Sequence, residues 1–524
     1  MVELQYFEIG TVRCIRGCVV VVTGFKNCIN GQLIKFGYGT IGMIVGFDPE
    51  EAQILIIKEN ERIKTGDQAI ATMEPFLTPV GEKFIGRIVN ALGEPMDGLG
   101  PLTPDAMFPI FIEAPSILAR DQLCKTLETG VKVLDGCIPI GLGQRELILG
   151  DKMTGKTTIV TDTILNQRHT GLICIYCCIG KARSALARVV QLFQEHDCFK
   201  YSLIVSATAS SLPGQQYLAP YVSCAIAEYF MKKGQDVFIG FDDFTKHAWC
   251  YREISLLLGR APGRDSYPGD IFYLHSKMIE RAAFMDKAHG SGSITFLPIV
   301  ELLEGDLTAF VPSNLVSMTD GQIYLSTQIF GEGQRPALDL GLSVSRVGTK
   351  VQWPAIKKLC APLRLEYLQY RELLRLSKLK TTGQSEEALV KLKRGAILTE
   401  LFRQDKDSPI PSEAQVFIFY AFGKKMLLDL TMAEVNEFQI SIFEYGQKKD
   451  AAFMTKLREK KSLDPEIEKG LTSILTSYFE EMKVRRPQGE GQEKRKDEVA
   501  TDVLEQSTSK KAKESKAGGS LKEK

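Results

Sequence analysis

The chain has almost no net charge, since its 65 lysines and arginines nearly cancel its 64 aspartates and glutamates over 524 residues. That balance creates no long-range basic field and so excludes the electrostatic footprint of a nucleic-acid or anionic-membrane binder. Long hydrophobic runs are missing too: no window of about 18 or more uncharged apolar residues occurs, so no membrane-spanning helix is expected. The opening MVELQYFEIG lacks a charged leader followed by an apolar stretch, and secretion is not expected either. Paired cysteine clusters are also absent. Cys174, Cys177 and Cys178 lie close together, but inside LICIYCCIG, which reads as a buried strand, with no second pair at zinc spacing. They read as reduced core thiols.

What is present exceeds one hydrophobic core, because 524 residues call for two or three domains. Residues 1–73 are rich in glycine and β-branched residues with short alternating runs such as TVRCIRGCVVVVTG and AQILIIKE, and predict an N-terminal β-barrel. Over residues 74–352, strand-length apolar runs (ELILG, LICIYCCIG, DVFIGFDD) alternate with helical periods such as KARSALARVVQLFQ, which predicts an α/β domain with a mostly parallel sheet. Residues 353–486 turn helical, as in LRLEYLQYRELLRLSKL, and predict an α-helical bundle. Residues 487–524 carry many charges and few large apolar groups, and are expected to form a disordered charged tail.

Within the α/β segment, Gly150-Asp151-Lys152-Met153-Thr154-Gly155-Lys156-Thr157-Thr158 follows the apolar run ELIL and matches a P-loop. Such a loop points backbone N–H groups and a positive helix end at phosphates. Lys156 adds a point charge, and Thr157 supplies a hydroxyl for Mg2+. The acid that completes the metal site is expected at the end of a buried strand, where Asp242 closes DVFIGFD. Asp242 is favoured for this role over Asp243, which suits a helix cap.

The chain resembles the alpha subunits of the F-type ATP synthase from about Ile9 through Phe422. PIGLGQRELILGDKMTGKT, YREISLLLGRAPGRDSYPGDIFYLHSKMIERAA, VPSNLVSMTDGQIYLSTQIF and GLSVSRVG carry the likeness. The resemblance implies barrel, nucleotide domain and helical bundle, ATP or ADP with Mg2+ as ligands, and a ring of three alpha and three beta subunits around a central gamma shaft. It implies a peripheral stalk subunit as a further partner, contact with a membrane through partner subunits alone, and no nucleic acid. The expected location is the cytoplasmic face of a bacterial inner membrane or the equivalent organellar face. Family members carry some two dozen residues before the barrel, whereas this chain is expected to enter it within its first ten.

Catalytic beta subunits of that family place a glutamate after the second strand. At the matching place this chain reads IGKARSALARVV, with Lys181 where alpha subunits usually have glutamine. An ammonium cannot accept the proton of an attacking water, so the loop is expected to bind nucleotide without hydrolysing it. Lys181 either faces the phosphates, adding positive charge near the γ-phosphate, or is a solvated surface lysine.

By the same resemblance, Arg346 in GLSVSRVG reaches the phosphates of the neighbouring beta subunit, and Ser317 lines that interface. A planar, permanently charged guanidinium suits a transition state with charge spread over several oxygens. Phe330, Arg335 and Gln404 match an aromatic, an arginine and a glutamine near the adenine pocket, while Lys406 replaces a second glutamine. The expected function is therefore a non-catalytic nucleotide-binding subunit that lends an arginine to its neighbour. A self-sufficient hexameric ATPase would need its own glutamate, which Lys181 argues against. A structural paralogue in another motor is the remaining class.

Overall fold

The computed structural model describes residues 7–377 and 386–485, so the expected tail lies outside the described residues. Two compact units form. Among the described residues, one joins the segment ending at Cys124 with Gly141–Gln322, and the other joins Lys125–Ile140 with the segments that follow Gln322. Compactness thus divides the chain elsewhere than periodicity does, because Lys125–Ile140 packs with the C-terminal helices.

In the first unit, six strands close into a barrel in the order β1-β2-β5-β4-β3-β6: β1 (Phe7–Arg16), β2 (Val19–Thr23), β3 (Gln32–Phe36), β4 (Ile41–Phe47), β5 (Glu51–Lys58) and β6 (Gln68–Pro75). β1 alternates exposed and buried along FEIGTVR, and Val12, Val22, Ile34, Ile44 and Ile54 fill the barrel.

The same unit contains a parallel sheet of β7 (Ile88–Asn90), β8 (Glu146–Gly150), β9 (Ile173–Ile179), β10 (Ser202–Ala207), β11 (Asp236–Asp242) and β12 (Ser293–Glu301), side by side as β8-β12-β11-β9-β10-β7. Every residue of β8, β9 and β10 is buried, as expected for strands covered on both faces. Cys174, Cys177 and Cys178 are free and buried in β9. Helices α1 (Lys156–Leu165), α2 (Arg183–Glu195), α3 (Pro213–Lys232), α4 (Phe244–Leu257) and α5 (Ile271–Ile279) follow or cover these strands. At Gly240 of β11 a Cβ would lie 2.2 Å from Val160 Cγ1, so glycine is what lets α1 approach the strand that ends in Asp242.

Behind the sheet, Arg281 and Glu228 form a buried bidentate pair at 2.7 and 2.8 Å, and Arg281 Nη1 also donates to Ile110 O at 2.8 Å. Burial alone would disfavour the charged guanidinium, but Glu228 keeps it protonated. Glu228→Ala would strand this charge and is expected to destabilise the unit by about 3–5 kcal/mol in chemical denaturation. A loss below about 1 kcal/mol would show that water reaches Arg281.

The second unit is helical, with α6 (Leu363–Ser377), α7 (Glu386–Phe402), α8 (Ser412–Gly423), α9 (Met432–Lys449), α10 (Ala451–Lys460) and α11 (Pro465–Arg485). α9 begins in a capping box made by Thr431 and Glu434, a start signal written in the sequence. No helix among the described residues is long and apolar enough to cross a membrane.

Candidate nucleotide-binding site

β8 runs into the loop Asp151–Gly155, and α1 starts at Lys156. Gly155 adopts φ +98, a left-handed conformation that glycine takes without strain, and turns the chain into the helix. The loop is braced from within and from outside. Thr154 Oγ1 donates to Asp151 O at 2.9 Å, while Asp151 Oδ1 accepts from the Gly305 N–H at 2.8 Å. Met153 is exposed at the loop tip. The Lys156 ammonium folds back to donate to Gly150 O at 2.8 Å and to Asp151 O. Burial, assisted by the nearby charge of Lys181, holds its pKa below the usual lysine value.

At the end of β11, Asp242 Oδ2 accepts the Thr157 hydroxyl at 2.6 Å and the Tyr176 hydroxyl at 2.9 Å. Its other oxygen lies 2.6 Å from Lys181 Nζ, and Asp243 Oδ2 lies 3.4 Å from the same ammonium. Lys181 therefore faces the site, with its side chain only 24% exposed. Burial alone would drive the ammonium towards neutrality, but Asp242 and Asp243 overcome this and raise its pKa. Burial in turn pushes Asp243 up to about 6, against the pull of Lys181. Asp243 also caps α4, its Oδ1 accepting from the Lys246 N–H at 2.7 Å.

Thr157 and Asp242 are the hard oxygen donors that Mg2+ would use. Both carboxylate oxygens of Asp242 are nevertheless already engaged, one of them by a cation. At Asp242 a divalent cation would therefore meet one oxygen accepting two hydroxyls and the other paired with an ammonium. Among the described residues no group of three or more His, Cys, Asp or Glu could hold a metal.

Two residues here escaped the sequence reading. Tyr176 bears the single aromatic hydroxyl in an otherwise apolar strand, which calls for a buried partner. Glu301 closes the apolar run of β12 as Asp242 closes β11, and its Oε1 lies 3.6 Å from Lys152 Nζ.

The other candidates belong to different surroundings. Ser317, exposed in the helix Phe310–Met318, donates to Asn314 O at 2.6 Å. In the second unit, the Arg335 guanidinium lies 5.0 Å from the centre of the half-buried Phe330 ring, a cation–π contact. Gln404 turns inward. Its Nε2 donates to Gly130 O at 2.8 Å and Ser408 O at 2.9 Å, and its Oε1 accepts from the Lys132 N–H at 3.1 Å. Both of its N–H donors are thus committed to backbone. Lys406 is exposed and pairs with Asp407 at 3.6 Å.

Arg346 is exposed and makes no hydrogen bond or ion pair among the described residues. Its loop, by contrast, is tied down: Ser345 Oγ donates to Pro139 O at 2.9 Å, and Arg364 Nη2 donates to the carbonyls of Leu340 and Ser343, each at 2.9 Å.

A barrel, a parallel sheet with a P-loop and a helical unit define a multidomain P-loop nucleotide-binding protein. Residues 130–345 match the nucleotide-binding domain of the ATP synthase alpha/beta family, and residues 352–478 match its C-terminal domain. The chain belongs to that family. ATP synthase subunit alpha of Clostridium acetobutylicum is 43% identical over 476 residues, spanning 91% of this chain and 94% of that one. ATP synthase subunit alpha of Clostridium botulinum strain Eklund 17B is 42% identical over the same shares.

Proposed function

We propose that this chain is a nucleotide-binding, non-hydrolysing alpha subunit of a rotary ATP synthase. It alternates with beta subunits around a gamma shaft, and through those partners the ring works at a membrane in ion-coupled ATP synthesis and hydrolysis. The observation that carries the reading is Lys181, a half-buried ammonium paired with Asp242 where hydrolysis would need a carboxylate base. The P-loop backbone, Lys156 and the N-terminus of α1 supply the positive potential for phosphates. Phe330 and Arg335 are proposed to hold the base. Gln404, with its donors committed, is proposed to shape that pocket rather than to read the purine. Arg346, charged and unpartnered among the described residues on an anchored loop, is proposed as the catalytic residue in trans at the beta-subunit site.

The purified full-length chain is expected to bind ATP and to release phosphate no faster than a buffer control. Vigorous hydrolysis that Lys156→Ala abolishes would overturn the non-catalytic reading. In that event Glu301→Gln would test whether Glu301 is the base.

A further inference from the structure

We propose that the Lys181 ammonium replaces the divalent cation in this site, so that the P-loop holds a metal-free nucleoside di- or triphosphate. The inference rests on the nucleotide-binding reading of the loop and names the form of the ligand.

At the strand end that would face a hydrated cation, an ammonium of this chain already sits against the carboxylates. Asp242 Oδ2 is taken by the hydroxyls of Thr157 and Tyr176, and Oδ1 holds the Lys181 ammonium at 2.6 Å. Asp243 adds a second carboxylate 3.4 Å from the ammonium, which is therefore held from two sides. The backbone fixes its origin as well: Gly180 N–H donates to Ala207 O at 2.7 Å, and Lys181 O accepts from the Ala209 N–H at 2.9 Å. Lys181 is thus part of the floor of the site. Nucleotide sites of this type commonly combine one loop lysine with a divalent ion. Here the chain supplies two fixed single charges, Lys156 at the loop carbonyls and Lys181 at the strand end. A divalent cation seeking Asp242 would have to displace a positive group already paired there, against mutual repulsion in a poorly solvated place. A phosphate chain meets no such barrier, since an oxygen of it can accept from the ammonium's remaining N–H.

The test is calorimetric titration of the full-length chain with ATP, once in excess EDTA and once in excess MgCl2. The two affinities of the parent chain are expected to agree within about threefold. Lys181→Gln is expected to bind ATP at least about tenfold more weakly in EDTA than in MgCl2, and Lys181→Arg to keep metal-independent binding. Electron paramagnetic resonance of Mn2+ with the parent chain and ATP gives a readout independent of any variant's folding, and no Mn2+ bound beyond that held by free ATP is expected. A parent chain that binds ATP at least about tenfold more tightly with Mg2+, or that immobilises Mn2+ with ATP, overturns the metal replacement but leaves the nucleotide reading standing. A chain that binds ATP in neither condition overturns the nucleotide reading itself, and this proposal with it.

Discussion

Rings assembled with Arg346→Ala subunits are expected to hydrolyse ATP about three orders of magnitude more slowly than parent rings, the lower range for losing an arginine finger. The expectation rests on an unusual combination in one loop. Backbone carbonyls of Leu340 and Ser343 are held by Arg364, and the Ser345 hydroxyl holds Pro139 O, yet the guanidinium of Arg346 is exposed and unpaired among the described residues. An exposed arginine without a partner contributes little to the stability of its own chain. Its removal should therefore leave folding, ring assembly and ATP binding at the chain's own loop nearly unchanged. Arg346→Lys should rescue little, because lysine keeps the charge but loses the planar fork that meets several phosphate oxygens at once. The measurement is the ATPase rate of each ring, with assembly checked by sizing. Arg346→Ala rings that turn over near the parent rate would make this subunit a spacer and favour the structural-paralogue reading.

The second large effect concerns binding. Lys156→Ala is expected to weaken ATP binding to the isolated chain by about a hundredfold, the loss for hydrogen bonds made by a charged donor, measured by titration calorimetry. In the structure the Lys156 ammonium is bonded to Gly150 O and Asp151 O, and burial has already lowered its pKa. Its charge is poorly solvated before any ligand arrives, so a phosphate oxygen gains a strong partner at little desolvation cost. Because Arg346 is proposed to serve the neighbour's site, rings with both substitutions should show the rate defect of Arg346→Ala alone. ATP affinity unchanged by Lys156→Ala would place the ligand away from the loop.

The three architectures were legible because each writes its own period into the chain. Short glycine- and β-branched-rich runs such as TVRCIRGCVVVVTG and AQILIIKE mark the barrel strands, continuous apolar runs such as ELILG mark strands covered on both faces, and the helical repeat marks the C-terminal bundle. The P-loop was legible for a related reason. Its function lies in a strand, a glycine-bracketed turn and a helix start, all contiguous in sequence. The assignment of Lys125–Ile140 to the helical unit was not legible. Its partners, among them Gln404 and Gln439 contacting Lys132, lie 272 and 307 residues away in sequence.

Local sequence order therefore determined the elements, the strand–loop–helix of the P-loop and the absence of a carboxylate at position 181. Tertiary structure alone decided what Lys181 does, because a lysine after a strand reads equally as surface or site until the neighbouring strand brings Asp242 to 2.6 Å. It also turned Gln404 inward to the backbone and left Arg346, among the described residues, without a partner on a tied loop. Periodicity reports which face of an element is buried, but an ion pair between β11 and the turn after β9 depends on how strands are ordered in the sheet. That order is set by packing over the whole unit rather than by any short stretch of chain.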